Sequence, residues 1–140
     1  MSRRIREHFA AVRAHAARSV PWLGRVRIRR CPVADRDHAR VWRLFMHSNH
    51  HPLTVCHAAA ASAELTDLEI QGMIGHELGH VVGEEAGFPE HARPQRGAGT
   101  PPRVQAEADW IARKILGIPI GYNARTLEEL RLPRRRLRRR

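Results

Sequence analysis

Residues 66–83 read TDLEIQGMIGHELGHVVG and contain the strongest helix signal in the chain. The first four residues, from Thr66 to Glu69, form a capping box, in which the Thr and Glu side chains satisfy free N–H groups at a helix start. Apolar residues then recur at helical spacing: Ile70, Met73, Ile74, Leu78, Val81 and Val82. The pattern predicts a helix that ends at Val82 or Gly83.

Three glycines, Gly72, Gly75 and Gly79, lie inside this predicted helix. Each glycine costs roughly 1 kcal/mol relative to alanine in a helix interior. Three such costs in one helix indicate that another part of the molecule packs very close to its backbone.

The same helix carries the pattern HExxH, from His76 to His80. Side chains four residues apart lie one above the other on a helix, which lets two imidazoles bind one Zn²⁺. Glu77 leans to the side of the metal, where it can accept a proton from water. A shuffled chain of this composition would contain the motif in roughly 5% of cases. The motif gains weight from its place on an independently predicted helix; two histidines on a helix surface are the alternative interpretation.

A catalytic zinc site needs a third protein ligand. The extended pattern HExxHxxGxxH fails, because it requires histidine at position 86, which is Ala86. The other common arrangement places a glutamate on a later helix. A second helix is predicted from Pro101 and Pro102 to Leu116, with Gly117 as its C-terminal cap. It contains the sequence VQAEADWIA at residues 104–112.

HELGH and residues 105–117, which follow the E-x-x-A-D…A…LG pattern except at its first position, resemble the gluzincin-type zinc metallopeptidases, with the small ImmA/IrrE-like group of bacteria and phages and the minimal gluzincins as the most similar. The resemblance covers about residues 52–122. It implies a helix–sheet peptidase fold and one Zn²⁺ held by two histidines and one glutamate. It also implies that Asp109 orients a zinc-binding histidine. Here Gln105 stands four residues before Asp109, where the family pattern has its ligand glutamate.

The third ligand is therefore open. Gln105 shares a helix face with Asp109, whereas Glu107 lies roughly 160° around an ideal helix from it. Glu107 is our predicted third ligand, reached by a local irregularity near the start of the helix. Gln105, binding weakly through its amide oxygen, is the second alternative. A third possibility is that no residue fills the place, or that one of four others does: Asp109, His91, Glu84 or Glu85.

Around these two helices, the patterns predict further elements. Residues 3–19 form an amphipathic helix that buries Ile5, Phe9, Val12 and Ala16. Alternation predicts a strand over 25–31, and short apolar runs predict two paired strands over 40–46 and 53–57. Residues 84–103 are predicted to be a loop of about 20 residues, and loops of that length are uncommon unless they are functional or mobile. The expected fold class is α+β and zincin-like, a small sheet packed against the HExxH helix and the second helix.

The charge is unevenly distributed along the 140 residues, whose net charge is +11. Residues 1–30 contain nine Arg and one Glu, and residues 131–140 contain seven Arg and no acid, around a mildly acidic middle. This excludes a uniformly basic, histone-like protein and a wholly disordered one. We predict a basic amphipathic helix at 1–24, a metallopeptidase domain at 25–132 and a disordered Arg-rich tail at 133–140.

No apolar run is long enough to cross a membrane, and two cysteines make no disulfide framework, so we expect a cytoplasmic protein. The predicted function is a zinc-dependent metallopeptidase acting on an intracellular protein, with Glu77 activating zinc-bound water. Tyr122 and His91 are candidates for steadying the oxyanion. For the resembled family, substrates include transcriptional repressors of mobile elements. The alternative is a catalytically degenerate protein of the same fold whose basic ends bind nucleic acid or an acidic partner.

Overall fold

A computed structural model of the chain describes residues 3–30, 44–49, 54–59, 66–94 and 100–118; Arg30 and the two short segments 44–49 and 54–59 are described by their backbone alone. Two helices precede the HExxH region, an α-helix and a short 3₁₀ turn, and three strands follow one another between residues 27 and 59. The elements in chain order are α1 (Arg3–Ala17), a 3₁₀ turn (Pro21–Arg25), β1 (Arg27–Arg30), β2 (Leu44–Asn49), β3 (Thr54–Ala59), α2 (Asp67–Glu85), α3 (Pro89–Ala92), α4 (Pro102–Trp110) and a π-helical turn (Ile111–Ile115).

Helix α2 begins where the capping box predicted. The Thr66 side chain accepts a hydrogen bond from the backbone N–H of Glu69 at 3.1 Å. The helix continues to Glu85, two residues beyond the predicted end, and Gly87 follows with a φ of 67°. A left-handed conformation is easily adopted by glycine, which explains why the chain turns away there.

Helix α1 packs against α2 through the four residues that the sequence pattern predicted: Ile5, Phe9, Val12 and Ala16. Burial of a large apolar side chain contributes about 1.5–3 kcal/mol, so this face stabilises the pair. Polar contacts fix the helix at both ends. Arg4 contacts Asp67 at 2.6 Å, and His15 Nε2 lies 2.8 Å from the carbonyl oxygen of Gly117.

The backbones of the three strands pair in the order β1-β3-β2. β1 runs parallel to β3, with Arg27 opposite Thr54. β2 runs antiparallel to β3, with Leu44 opposite Ala59. β2 extends to Asn49, three residues beyond the predicted end of that strand at residue 46.

The predicted α+β fold class is wrong. Of the residues whose side chains are described, 76% are helical, β1 is their only strand, and they include no sheet. Among these residues helices also supply most of the core, since α1, α2 and the segment that follows α4 provide most of the buried apolar side chains. The alternating patterns mark elements of only four to six residues.

The predicted loop and the predicted second helix differ in part from the structure. The loop predicted at 84–103 contains the short helix α3, and the second helix changes to π-helical geometry at Ile111 before Leu116. Gly117 ends this helical segment with a φ of 63°, as predicted.

The predicted tail at 133–140 lies outside the described residues. Within the ranges that are described, no helix has the length and apolar character needed to span a membrane.

Candidate metal centre

Helices α2 and α4 approach each other closely at a glycine. A Cβ built on Gly79 would overlap the carbonyl oxygen of Ala108 and would stand 2.9 Å from its carbonyl carbon. A Cβ on Gly75 would lie 3.0 Å from two side-chain carbons of Ile118. The prediction that something packs against the backbone of this helix is confirmed at both positions. Because of this approach, the HExxH face of α2 lies directly against α4.

His76 is fully buried and is held by α4 through its Nδ1 atom. That nitrogen lies 2.8 Å from Oδ1 of Asp109. A carboxylate only accepts hydrogen bonds, so Nδ1 carries a proton, and in a neutral ring the Nε2 atom carries a lone pair. The contact agrees with the orienting role that the family resemblance implies for Asp109.

His80 lies one turn further along α2 and is 7% exposed. Burial lowers the pKa of His80 from 6.5 to about 4, and the charge of nearby Glu77 opposes this shift. The ring is therefore neutral at pH 7. Its Nδ1 atom lies 2.9 Å from Nε2 of His91, which belongs to the short helix α3.

Three potential ligand atoms meet between α2 and α4. The Nε2 atoms of His76 and His80 are 3.0 Å apart. The Oε1 atom of Gln105 lies 2.6 Å from the first and 2.9 Å from the second. An amide oxygen only accepts, and a neutral His76 with its proton on Nδ1 has none on Nε2, so in that state only His80 can place a proton among these three atoms. A triangle of lone pairs this tight favours a cation at its centre.

The size and chemistry of the triangle fit Zn²⁺. Four ligands at about 2.0–2.1 Å in tetrahedral geometry stand about 3.3 Å from one another. The three atoms are 2.6–3.0 Å apart, so binding requires the edges to open by roughly 0.3–0.7 Å. Two imidazoles and an amide oxygen are acceptable zinc donors, although the set carries no negative charge. His76, His80 and Gln105 could therefore hold the metal.

Glu107 lies on a different face of α4 and points towards α3. Its carboxylate accepts hydrogen bonds from the backbone N–H groups of Glu90 and His91 at 3.1 and 2.9 Å, and it lies 2.7 Å from Nδ1 of His91. Burial raises the pKa of Glu107, but these hydrogen bonds outweigh it and hold the pKa below its usual value. The structure brings Gln105 and Asp109 to His76, and it does not bring Glu107 to the two Nε2 atoms.

The remaining predicted site residues have different surroundings. Glu77 is 1% exposed and close enough to His80 for its charge to act on that ring. Glu84 and Glu85 are exposed at the end of α2. Tyr122, a candidate for steadying an oxyanion, lies outside the described residues. His91, the other candidate, contacts His80 and Glu107 instead of the centre of the triangle.

The structure places Gln105, the second alternative from the sequence, beside the two histidines, and one signal in the sequence pointed to it. Gln105 and Asp109 share a helix face, and α4 is regular from Pro102 to Trp110. Within the part of the chain that the structure describes, no group of three His, Cys, Asp or Glu side chains could hold a metal. The third atom of the triangle belongs to the amide of a glutamine, which is not one of these four residue types.

Comparison of the chain with protein-family models, with curated proteins and with solved structures gives no match. The arguments for function therefore rest on the residues of this chain.

Proposed function

We propose that this chain is a cytoplasmic zinc-dependent hydrolase of the metallopeptidase type, which cleaves peptide bonds in an intracellular protein. In this proposal His76, His80 and Gln105 hold the metal, and Glu77 handles the proton of the reaction. The observation that carries it is the meeting of two imidazole Nε2 atoms and one amide oxygen within 3.0 Å of one another.

Each residue has a task that its surroundings support. Asp109 keeps the Nδ1 proton of His76, so that Nε2 faces the centre of the triangle. Glu77 follows His76 on the same helix and is almost completely buried, which keeps its carboxylate in a fixed orientation. When bound, zinc would lower the pKa of a water molecule and polarise a carbonyl group. Glu77 would accept a proton from water and transfer it to the leaving amine.

The neutral Gln105 sets this site apart from one with two histidines and a glutamate. Without a carboxylate, the ligands cancel none of the metal's charge. We expect weaker binding for that reason, because a carboxylate within a few ångströms of a divalent cation attracts it strongly in a partly buried site. A ligand set of this kind also leaves the bound metal more electrophilic.

The proposal is tested first by metal content. Purified wild-type protein grown with added zinc is compared by elemental analysis with three variants, His80→Ala, Gln105→Ala and Glu107→Ala. We expect about one zinc per chain in the wild type and in Glu107→Ala, and loss of zinc in the other two variants. Zinc that is lost in Glu107→Ala and retained in Gln105→Ala would assign the third position to Glu107, and a zinc-free wild type would refute the metal site.

The second test separates metal binding from chemistry. Glu77→Gln keeps the size of the side chain and removes its charge, so we expect retained zinc and loss of hydrolysis of an unfolded protein substrate such as casein. Glu85→Gln is the matched control, because it removes one exposed carboxylate from the same helix. Hydrolysis that survives Glu77→Gln would refute the role of Glu77.

A second candidate function is a catalytically degenerate protein that binds nucleic acid or an acidic partner. The neutral Gln105 favours it, and so does the basic N-terminal segment, in which Arg3 and Arg6 on α1 and Arg18 just after it are exposed to solvent. DNA binding that weakens steeply with salt and ignores a chelator would support this alternative. Proteolysis that stops on chelation would support the hydrolase.

A further inference from the structure

We infer that the N-terminal part of this chain carries a surface that binds the sugar–phosphate backbone of nucleic acid. The surface is formed by α1, by β1 and by the residues just before β1, and we call it the arginine surface. Its members are Arg6, Arg13, Arg25, Arg27 and Arg29. The inference does not depend on the metal site, because none of these residues belongs to the triangle between α2 and α4.

Positive charge dominates this part of the molecule. Residues 3–30 contain nine arginines and one acidic residue, Glu7, whose carboxylate already forms an ion pair within α1. Within the described ranges of the chain, no carboxylate pairs with Arg6, Arg25 or Arg27. The described part of the protein therefore leaves their charges without a counterion, and such a surface attracts a polyanion.

The alternation along β1 places two arginines on the same side of the strand. Val26 is buried and Ile28 is half-buried, whereas Arg27 and Arg29 are exposed. Residues two positions apart on a strand share one face and are separated by about 6.6 Å. Successive phosphates of one nucleic-acid strand have a comparable separation, and a guanidinium group can donate two parallel N–H bonds to phosphate oxygens. The strand therefore presents positive charges at a spacing that suits a chain of phosphates.

A hydrogen bond joins α1 to the start of this strand. Arg13 donates from Nη1 to the backbone carbonyl of Val26 at 2.8 Å. Val26 stands between Arg25 and Arg27 in the chain, so this bond places one side of α1 beside them. Arg6 precedes Arg13 by seven residues, or two helical turns, and therefore lies on the same side of α1. The arginines of the helix and of the strand thus form one continuous surface.

The composition of the arginine surface favours nucleic acid over an acidic protein as the partner. A protein–protein interface has an apolar core inside a polar rim. The large apolar side chains that are exposed among the described residues, Leu68 and Trp110, belong to α2 and α4 instead. The exposed residues Ala10 and Gly24 are small and leave room for a phosphate backbone to approach. Binding then depends on phosphate contacts, which carry no base-sequence information directly.

The test measures how tightly the full-length protein binds a fluorescein-labelled DNA duplex of mixed sequence, by fluorescence anisotropy at several salt concentrations. Each phosphate contact contributes about 0.9 to the slope of log K against log salt concentration. We therefore expect the slope of the double variant Arg25→Gln/Arg27→Gln to be smaller than that of the wild type by about 1.8. At about 0.1 M salt, loss of the two contacts corresponds to roughly 60-fold weaker binding.

Arg93→Gln/Arg113→Gln is the matched control, because it removes two exposed positive charges at positions outside the arginine surface. The two double variants have the same net charge, and we expect the control to keep the wild-type slope. Arg6→Gln tests the helix independently, with an expected decrease of about 0.9 in the slope and roughly eightfold weaker binding at about 0.1 M salt. Circular dichroism spectra that match the wild type show that each variant is folded.

Three results would overturn the inference. The first is a wild-type protein that does not bind the duplex even at low salt. The second is an equal slope for Arg25→Gln/Arg27→Gln and for the control, because binding would then come from net charge or from another segment, such as the arginines at 134–140. The third is displacement of the duplex by poly-glutamate at equal charge concentration, which would assign the surface to an acidic protein. A protein without zinc would refute the metal site and leave this inference unaffected.

Discussion

Replacement of Gly79 by alanine tests the packing that creates the site. The new Cβ would lie 2.9 Å from the carbonyl carbon of Ala108 and 3.2 Å from its Cα. Non-bonded carbons pack best at about 3.5–4.0 Å, so α2 and α4 must separate by roughly 0.6–1.1 Å. The atoms of Ala108 that the new Cβ would meet belong to the backbone, so no change of side-chain rotamer relieves the contact.

Two opposing contributions determine how much Gly79→Ala changes the free energy of unfolding. Overpacking of this kind costs about 1–3 kcal/mol, and a backbone contact belongs at the upper end of that range. Alanine returns about 1 kcal/mol through its higher helix propensity. We expect a net loss of about 2 kcal/mol in the free energy of unfolding, or roughly 6 °C in Tm for a chain of this size. The separation also exceeds the ~0.5 Å tolerance of a metal site, so zinc affinity should fall as well.

Denaturant unfolding and thermal melting, each followed by circular dichroism, measure this change. Gly24→Ala is the matched control, because no atom lies within 4 Å of its added Cβ and the position is exposed. We expect the control to stay within about 0.5 kcal/mol of the wild type. A Gly79→Ala protein as stable as the Gly24→Ala protein would refute the inferred close approach of α2 and α4.

Three further outcomes are expected. Gln105→Glu adds a negative charge at the third corner of the triangle, so zinc affinity should rise by at least about tenfold in chelator competition; an unchanged or lower affinity would contradict the position of Gln105. Asp109→Asn should weaken zinc binding by about 10–100-fold, because the His76 Nδ1 proton loses its charged acceptor; equal affinity would argue against that contact. The hydrogen bond from Arg4 is the main reason that the pKa of Asp67 lies below its ordinary value of 3.8. A lowered pKa in the folded state gives stability that is present above pH 3.8 and lost as the pH falls through the folded value. The melting temperature of Asp67→Asn should therefore be lower than that of the wild type at pH 7 and should converge with it near pH ~2, and a difference that persists at low pH would contradict this account.

The helical half of the structure was accessible from the sequence. Local patterns determine it: Thr66 caps α2 through Glu69, and Gly117 ends the last helical segment because it adopts a positive φ. The excess of glycine in α2 correctly predicted a close neighbour. These features depend on residues a few positions apart, which is the range over which sequence patterns are informative.

The fold class and the third corner of the triangle depend on packing between distant segments. The predicted class relied on short strand patterns, and the strands are only four to six residues long. Most of the described core residues lie on helices instead. The preference for Glu107 came from its chemistry, a carboxylate where an amide was the alternative. That preference did not take into account the backbone N–H groups of Glu90 and His91, which donate hydrogen bonds to the carboxylate. No sequence pattern in α4 indicates these contacts.

The contacts of the triangle join residues that are near one another along the chain, and this has a consequence for folding. The hydrogen bonds that join α2 to α3 and α4 link residues 11 to 33 positions apart. Those that attach α1 span 63 positions at Arg4 and 102 at His15. Closing the longest of these loops costs about 1 kcal/mol more in chain entropy than closing a loop of 33 residues. We therefore expect the α2–α4 segment to form early, with α1 docking late, so that substitutions in α1 change the unfolding rate much more than the folding rate.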